Sequence, residues 1–103
     1  MNSGPQIMHL VLFRWKDDVG DAQIDAVLDG LRGLKSIPGV LELHAGRNFC
    51  ARSQGFDTAL MVRFTNRAAL NAYSPHPDHR AVVDGLINAI RADSLAVDYE
   101  IED

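Results

Sequence analysis

The hydrophobic pattern begins with a strand that is apolar on both faces. From Ile7 to Trp15, the odd and the even positions are both largely apolar, with one histidine, His9, among the odd ones. A strand of this kind is covered on both sides, so it lies inside its sheet rather than at an edge. We therefore expect residues 7–15 to form a central strand.

Periodicity predicts the elements that follow. Helical spacing of apolar residues indicates helices, and alternation indicates strands, with Leu41, Leu43 and Ala45 sharing one face of the second strand. Pro75 and Pro77 interrupt a helical region because proline lacks an amide donor and clashes with a continuing helix. The predicted elements are a helix over 24–34, strands over 40–48 and 56–64, a helix over 68–73 capped by Asn66, a helix over 79–91 and a strand over 95–101.

The resulting order, βαββαβ, is that of a ferredoxin-like α+β fold, a four-stranded antiparallel sheet with its helices on one face. The opposite face of the sheet carries a second apolar set and would be left bare. Such a face is rarely exposed in a monomer, so we expect a homodimer, although a heteromeric partner would cover it equally well. The residues expected at the interface are Leu10, Leu12, Val97, Tyr99 and Ile101.

Composition and charge exclude several classes of function. The 103 residues suffice for one domain, and the apolar share of 47% is that of a globular protein. A net charge of -4 with scattered basic residues argues against a nucleic-acid partner, and no apolar stretch has the roughly 20 residues of a membrane helix. The single cysteine, Cys50, fits a reducing compartment such as the cytoplasm. Residues 1–6 are interpreted as a leader or tag remnant, and residues 7–103 as a single domain.

Three motifs carry a family resemblance. Residues 8–16 read MHLVLFRWK, residues 73–79 read Tyr-Ser-Pro-His-Pro-Asp-His, and residues 97–99 read Val-Asp-Tyr. They resemble the opening strand, the Tyr-x-x-His-Pro-x-His signature and the closing strand of the Dabb family of stress-responsive dimeric α/β-barrel proteins. The resemblance implies two sheets that face each other across a barrel, and a ligand cavity between helices and sheet in each protomer. One branch, that of olivetolic acid cyclase, closes polyketide chains without a cofactor.

His79 and Tyr73 are the first two candidates for catalysis. His79 follows the Pro77 break, and histidine suits acid/base chemistry because its ordinary pKa lies near 6.5. The resemblance implies that His79 is the acid/base of the cyclase branch and that Tyr73 binds substrate oxygen. The alternatives are that His79 only caps its helix or hydrogen-bonds the backbone locally, and that Tyr73 is buried by its ring at the helix end.

Asp98 and His9 extend this candidate site. Alternation turns Asp98 toward the helix-covered face, where a carboxylate needs a partner, and we expect a His79–Asp98 pair that fixes the imidazole tautomer. Alternatively, Asp98 accepts a hydrogen bond from the backbone or from an arginine. His9 either lines the pocket, as the resemblance implies, or is structural. The full set expected in the ligand pocket is His9, Val11, Phe13, Thr58, Leu60, Val62 and Val83.

The sequence differs from the cyclase branch at Thr58, where those enzymes carry a histidine, and this weakens the case for polyketide cyclisation. His76 and His79 have a spacing that two metal ligands could share, but Pro77 distorts that turn, so we expect neither metal nor cofactor. Three functions stay open. They are a cofactor-independent cyclase or lyase acting on a small apolar oxygen-bearing substrate, a non-enzymatic stress-response or ligand-binding dimer, and a cofactor-free monooxygenase of the same architecture.

Overall fold

The computed structural model describes residues 4–102, and its order of strands and helices is the predicted one. The strands are antiparallel, and the buried apolar residues of the helices pack against one face of the sheet. In chain order the elements are β1 (Ile7–Trp15), α1 (Asp21–Arg32) with a 3₁₀ turn over Gly33–Ser36, β2 (Val40–Arg47), β3 (Thr58–Phe64), α2 (Arg67–Tyr73), α3 (Pro77–Val82) with a π-helical turn over Val83–Ile87, and β4 (Arg91–Glu100).

The sheet has the order β2-β3-β1-β4, so the strand that is apolar on both faces is central. One face of β1 contributes Ile7 and Phe13 to the core, which α1 covers with Val27 and Leu31. Each such buried side chain contributes about 1.5–3 kcal/mol through removal from water. The ferredoxin-like prediction is confirmed.

The other face of the sheet, which we call the barrel face, is apolar and open in the single chain. Across it, Leu10 of β1 pairs with Val97 of β4, and Leu12 pairs with Leu95. Leu95 and Val97 are 50% and 46% exposed, and they border an open concavity of about 460 Å³. Tyr99 is similarly exposed, whereas the predicted interface residue Ile101 follows β4 and is half-buried.

The boundary between the last helix and the last strand differs from the prediction. The helical region ends at the π-helical turn, and β4 begins at Arg91 rather than at Leu95. Residues 91–94 read Arg-Ala-Asp-Ser and are exposed apart from the half-buried Arg91, so no apolar alternation marks them as a strand. They are held there by pairing with the end of β1, which the local pattern does not reveal.

The second strand contains a bulge that moves one residue off the predicted face. Val40 pairs with Phe64 and Glu42 pairs with Arg63, so Leu41 is the extra residue of the bulge and is exposed. An added residue shifts the alternation by one position. Val40 therefore takes the place that was predicted for Leu41, beside Leu43 and Ala45 in the core.

The turn before β2 requires a glycine. Gly39 has a φ of 92°, and a Cβ atom added there would lie 2.5 Å from the Cβ atom of Ala69 in α2. At the start of the chain, residues 1–3 of the predicted leader lie outside the described residues. Gln6 is part of the fold, since its carbonyl accepts from the Ile101 amide at 2.9 Å and its side chain accepts from Arg63.

Candidate functional site

A cavity of about 200 Å³ lies between the helix layer and the sheet. Its wall is mainly apolar, and it includes two histidines, an arginine and a serine. The lining residues are His9, Val11, Phe13, Leu31, Leu60, His79, Val83, Ile87, Arg91 and Ser94. It is the cavity that lies in the predicted place, and it is small beside the 300–1,000 Å³ that is common for ligand sites.

His79 is held in one tautomer by the backbone. Pro77 starts α3, and the Nδ1 atom of His79 lies 2.9 Å from the carbonyl oxygen of Ser74, at the break between the helices. Because a carbonyl oxygen only accepts, Nδ1 carries the proton and Nε2 of a neutral ring is left with a lone pair. Burial lowers the pKa of His79, and His9 and Arg80 lower it further, against the effect of the Ser74 carbonyl. His79 is therefore a neutral base at neutral pH.

Tyr73 is a fully buried phenol beside this base. Its ring lies 4.5 Å from that of His79 and 5.0 Å from that of Phe64, centroid to centroid. Within residues 4–102 its hydroxyl has no hydrogen-bond partner. Burial raises the pKa of Tyr73 to about 12, so the phenol stays protonated. A buried hydroxyl without a partner costs about 1–3 kcal/mol, and such groups in native proteins call for an explanation.

Asp98 lies on the predicted face, but its partner is His9 and not His79. The Nδ1 atom of His9 donates to the carboxylate of Asp98. The two residues stand directly opposite each other in the register of β1 and β4, which brings their Cβ atoms to about 4.5–5.5 Å. The predicted His79–Asp98 pair is therefore wrong, because the register determines the partner of Asp98 and the Ser74 carbonyl already binds His79.

The four polar side chains form one chain of contacts. The ring of Tyr73 lies 6.0 Å from that of His9 and 4.5 Å from that of His79, so the phenol stands between the two imidazoles. The side chain of His9 is 14% exposed and that of Asp98 46% exposed. Asp98 also borders a separate groove of about 250 Å³ next to α2. His9 thus faces the cavity, while its carboxylate partner reaches solvent.

The family follows from the sequence match. The model of the Dabb family, the stress responsive A/B barrel domain, matches residues 7–101. The chain belongs to the Dabb family. A curated relative, the stress-response A/B barrel domain-containing protein DABB1 of Arabidopsis thaliana, is 35% identical over 93% of this chain and 47% of its own length. The chain spans less than half the length of the curated relatives it matches.

Solved structures share the Dabb fold closely. A dimeric ferredoxin-like protein of unknown function from Thermobifida fusca superposes with a TM-score of 0.86 at 30% identity, covering 98% of this chain and 95% of that one. The hydroxynitrile lyase of Passiflora edulis superposes with a TM-score of 0.84 at 21% identity, over 96% of this chain and 95% of its own. The second likeness shows the fold alone.

The predicted pocket and the cavity of this Dabb domain overlap in part. Thr58 and Val62 do not line the cavity, because both are wholly buried in the core. Thr58 accepts from the indole nitrogen of Trp15 at 2.9 Å and donates to Asp57 at 2.7 Å. The predicted residues that do line the cavity are His9, Val11, Phe13, Leu60 and Val83.

Sequence reasoning missed the part of the cavity wall that comes from the start of β4 and from two helical residues. Arg91 and Ser94 line the cavity, but the predicted strand began after them. Ile87 and Leu31 were assigned to helices without a role in the pocket. The signal that could have found Ser94 is the extension of the alternation of β4 backward from Asp98 in steps of two.

Residues 4–102 offer no candidate metal site and no candidate membrane-spanning helix. In the described part of the chain, no three His, Cys, Asp or Glu side chains are grouped so that they could hold a metal ion. None of the helices formed by residues 4–102 has the length and apolar character needed to cross a membrane. Cys50 is exposed, and its sulfur accepts from the Arg52 amide at 3.5 Å.

Proposed function

We propose that this Dabb domain acts as a homodimer that binds a small, mainly apolar, oxygen-bearing ligand and transfers protons on it without a cofactor, in a reaction of the lyase or cyclase type. One observation carries the proposal. Two imidazoles with different partners, His79 on a carbonyl and His9 on a carboxylate, line one cavity. The buried phenol of Tyr73 does not line that cavity but packs against both rings. Groups of unlike environment in one cavity are typical of acid/base sites.

His79 is the proposed base. Its ring is neutral, and Nε2 is the nitrogen free to take a proton from a C–H or O–H bond of the ligand. On taking the proton, His79 becomes an imidazolium, and the ligand keeps the electron pair as a carbanion or oxyanion. General acid/base catalysis of this kind contributes about 10²–10⁴-fold in rate.

Tyr73 and His9 are the proposed partners of that step. Tyr73 lies behind His79, and its hydroxyl has no hydrogen-bond partner in residues 4–102. We propose that a bound ligand reaches this protonated phenol, which then donates to the oxyanion that develops on the ligand. His9 can return a proton to the ligand or leaving group, and its hydrogen bond to Asp98 holds the ring in place. Because Asp98 is half exposed, this pair can exchange protons with solvent.

The dimer is supported by the barrel face and by relatives. Leu10, Leu12 and Val97 form an apolar surface that a second copy would cover. The Thermobifida fusca protein is described as dimeric. The hydroxynitrile lyase of Passiflora edulis supports the reaction class only in that the same fold hosts an enzyme of the lyase type. We keep the cytoplasm as the proposed location because the exposed Cys50 is unpaired in the described chain.

A non-enzymatic ligand-binding dimer is the second candidate, and the size of the cavity favours it. At about 200 Å³ the cavity leaves little room for a substrate to change shape. In this reading the two histidines only hydrogen-bond a ligand, and turnover is absent.

The test is a screen for proton transfer on small carbonyl compounds and cyanohydrins. The readouts are deuterium incorporation from solvent and cleavage, in a protein shown to be folded. We expect His79→Ala to lose about 10²–10⁴-fold of any activity found. The matched control is His76→Asn, which keeps an acceptor for the Asp78 amide at the start of α3 and should retain activity. Equal rates for His79→Ala and the parent protein would contradict the proposal.

A further inference from the structure

The cavity has a second polar end that the proposed chemistry does not use. Its lining follows β1 from His9 to Phe13, which are separated by about 13 Å at roughly 3.3 Å per residue. At the Phe13 end lies Ser94, which pairs with Phe13 in the register of β4. Arg91 lies beyond it, opposite Trp15. The imidazoles and the guanidinium therefore occupy opposite ends of an apolar chamber.

A bulge in β4 is what brings Arg91 to this chamber. The register shifts between Arg14, which pairs with Asp93, and Trp15, which pairs with Arg91, so Ala92 is the extra residue. If Ala92 instead took a regular place in the strand, alternation from Ser94 would turn Arg91 to the barrel face. Bulges commonly re-aim a side chain next to a site.

Arg91 is also unusual in its partners. Its guanidinium donates to the side-chain oxygen of Asn88 at 3.0 Å, and no carboxylate of residues 4–102 lies at ion-pair distance from it. Among the arginines that the structure describes, Arg52 alone shares this lack of an ion pair, and it lies on an exposed loop. The arginines that do pair with carboxylates are Arg14, Arg32, Arg47, Arg63, Arg67 and Arg80. A half-buried guanidinium has five donors and matches a carboxylate in a planar, bidentate geometry.

We propose that the ligand of this cavity is a small monocarboxylic acid, whose carboxylate binds Arg91 and Ser94 and whose apolar body extends toward His79 and His9. This inference rests on the proposed function and names its substrate class. The cavity of about 200 Å³ corresponds to about seven water molecules at the liquid volume of about 30 Å³ each. It therefore holds an acid with a short apolar body, between side chains such as Val11 and Leu60.

The test compares benzoate with its neutral isostere benzamide by calorimetry and by amide chemical shifts. We expect benzoate to bind the parent protein more tightly than benzamide does. Arg91→Gln should weaken benzoate binding by about tenfold or more and leave benzamide unchanged, because a charge-assisted bidentate bond is lost. Arg52→Gln is the matched control and should leave both affinities unchanged. Arg91→Lys keeps the positive charge but loses the planar guanidinium, so its benzoate affinity should lie between those of the parent protein and Arg91→Gln. Arg91→Lys also serves as the test variant if Arg91→Gln does not fold.

Three results would overturn the proposal. They are equal benzoate affinity in Arg91→Gln, benzamide binding as tight as benzoate, and no saturable binding of benzoate, phenylacetate or hexanoate up to about 10 mM. The proposed function fails differently. If benzoate binds through Arg91 while His79→Ala keeps its activity, the acid site stands and the proton-transfer chemistry does not.

Discussion

The two faces of the sheet are made by the same four strands, yet they differ in what completes them. On the helix side, Phe64, Val62 and Leu31 are nearly or wholly buried within the single chain, and the polar groups of the cavity sit among them. On the barrel face, Leu95, Val97 and Tyr99 each keep close to half of their surface exposed. One face is thus covered within this chain, and the other is left open in it. The candidate site therefore lies in the part of the fold that a single chain completes.

The largest effect on stability should come from a cavity made in the core on the helix side of the sheet. Phe64→Ala removes a wholly buried ring that contacts Tyr73, and we expect a loss of about 3–5 kcal/mol in the free energy of unfolding. The loss should persist at every protein concentration. Val97→Ala on the barrel face is the contrast, since its cost should depend on concentration through the dimer. Urea unfolding at two protein concentrations measures both losses. If the loss caused by Val97→Ala did not depend on protein concentration, the two faces would not differ in the way described.

A buried charge on the barrel face should separate assembly from folding. Leu10→Asp would place an unpaired carboxylate between two sheets, and breaking an interface in this way costs about 3–5 kcal/mol. We expect a folded monomer by light scattering at micromolar concentration, with the ring signals of His79 and Tyr73 unchanged. Leu41→Asp is the control, because Leu41 is exposed at the bulge of β2. A Leu10→Asp protein that remained dimeric would show that another surface forms the dimer.

How much of this the sequence predicts can be seen at particular residues. Alternation placed Asp98 on the helix side, but its partner depends on which residue of β1 stands opposite, and that register is a long-range property. Leu41 and Arg91 were misplaced or missed because each lies at a bulge, where one extra residue shifts the alternation. The predicted strand over residues 7–15 agrees with β1 because its pattern is local and unbroken. Local patterns thus predict which face of the sheet a side chain lies on, whereas its hydrogen-bond partner is determined by the tertiary structure.

A smaller effect should appear at the phenol. Tyr73→Phe removes a buried hydroxyl without a partner in residues 4–102, so we expect the free energy of unfolding to rise by about 1 kcal/mol. The same change should lower any catalytic rate, because a donor to the oxyanion is lost. Thermal unfolding tests the expected gain in stability, and the activity screen tests the expected loss of rate. A clear destabilisation would mean that the hydroxyl has a structural partner and would weaken the case for its catalytic role.

The smallest effect concerns pH. The pKa of His79 is lowered from 6.5 in the folded state, mainly by burial, so the unfolded chain binds more protons just below pH 6.5. The stability contribution of neutral His79 should therefore be present above that pH and be lost as the pH falls toward the folded-state pKa. His79→Gln should reduce the slope of the free energy of unfolding against pH, as measured by urea unfolding at pH values from 6.5 downward. A slope unchanged by His79→Gln would contradict the lowered pKa assigned to His79.

We expect His79 to be a neutral base on the helix side of the sheet, and the nitrogen spectra of its imidazole report that state without any ligand. Long-range proton–nitrogen NMR at neutral pH distinguishes the two tautomers and the imidazolium. We predict that Nδ1 of His79 carries the proton, donated to the Ser74 carbonyl, and that Nε2 is unprotonated. A His79 ring protonated on Nε2, whether as the other tautomer or as the imidazolium, would contradict the account.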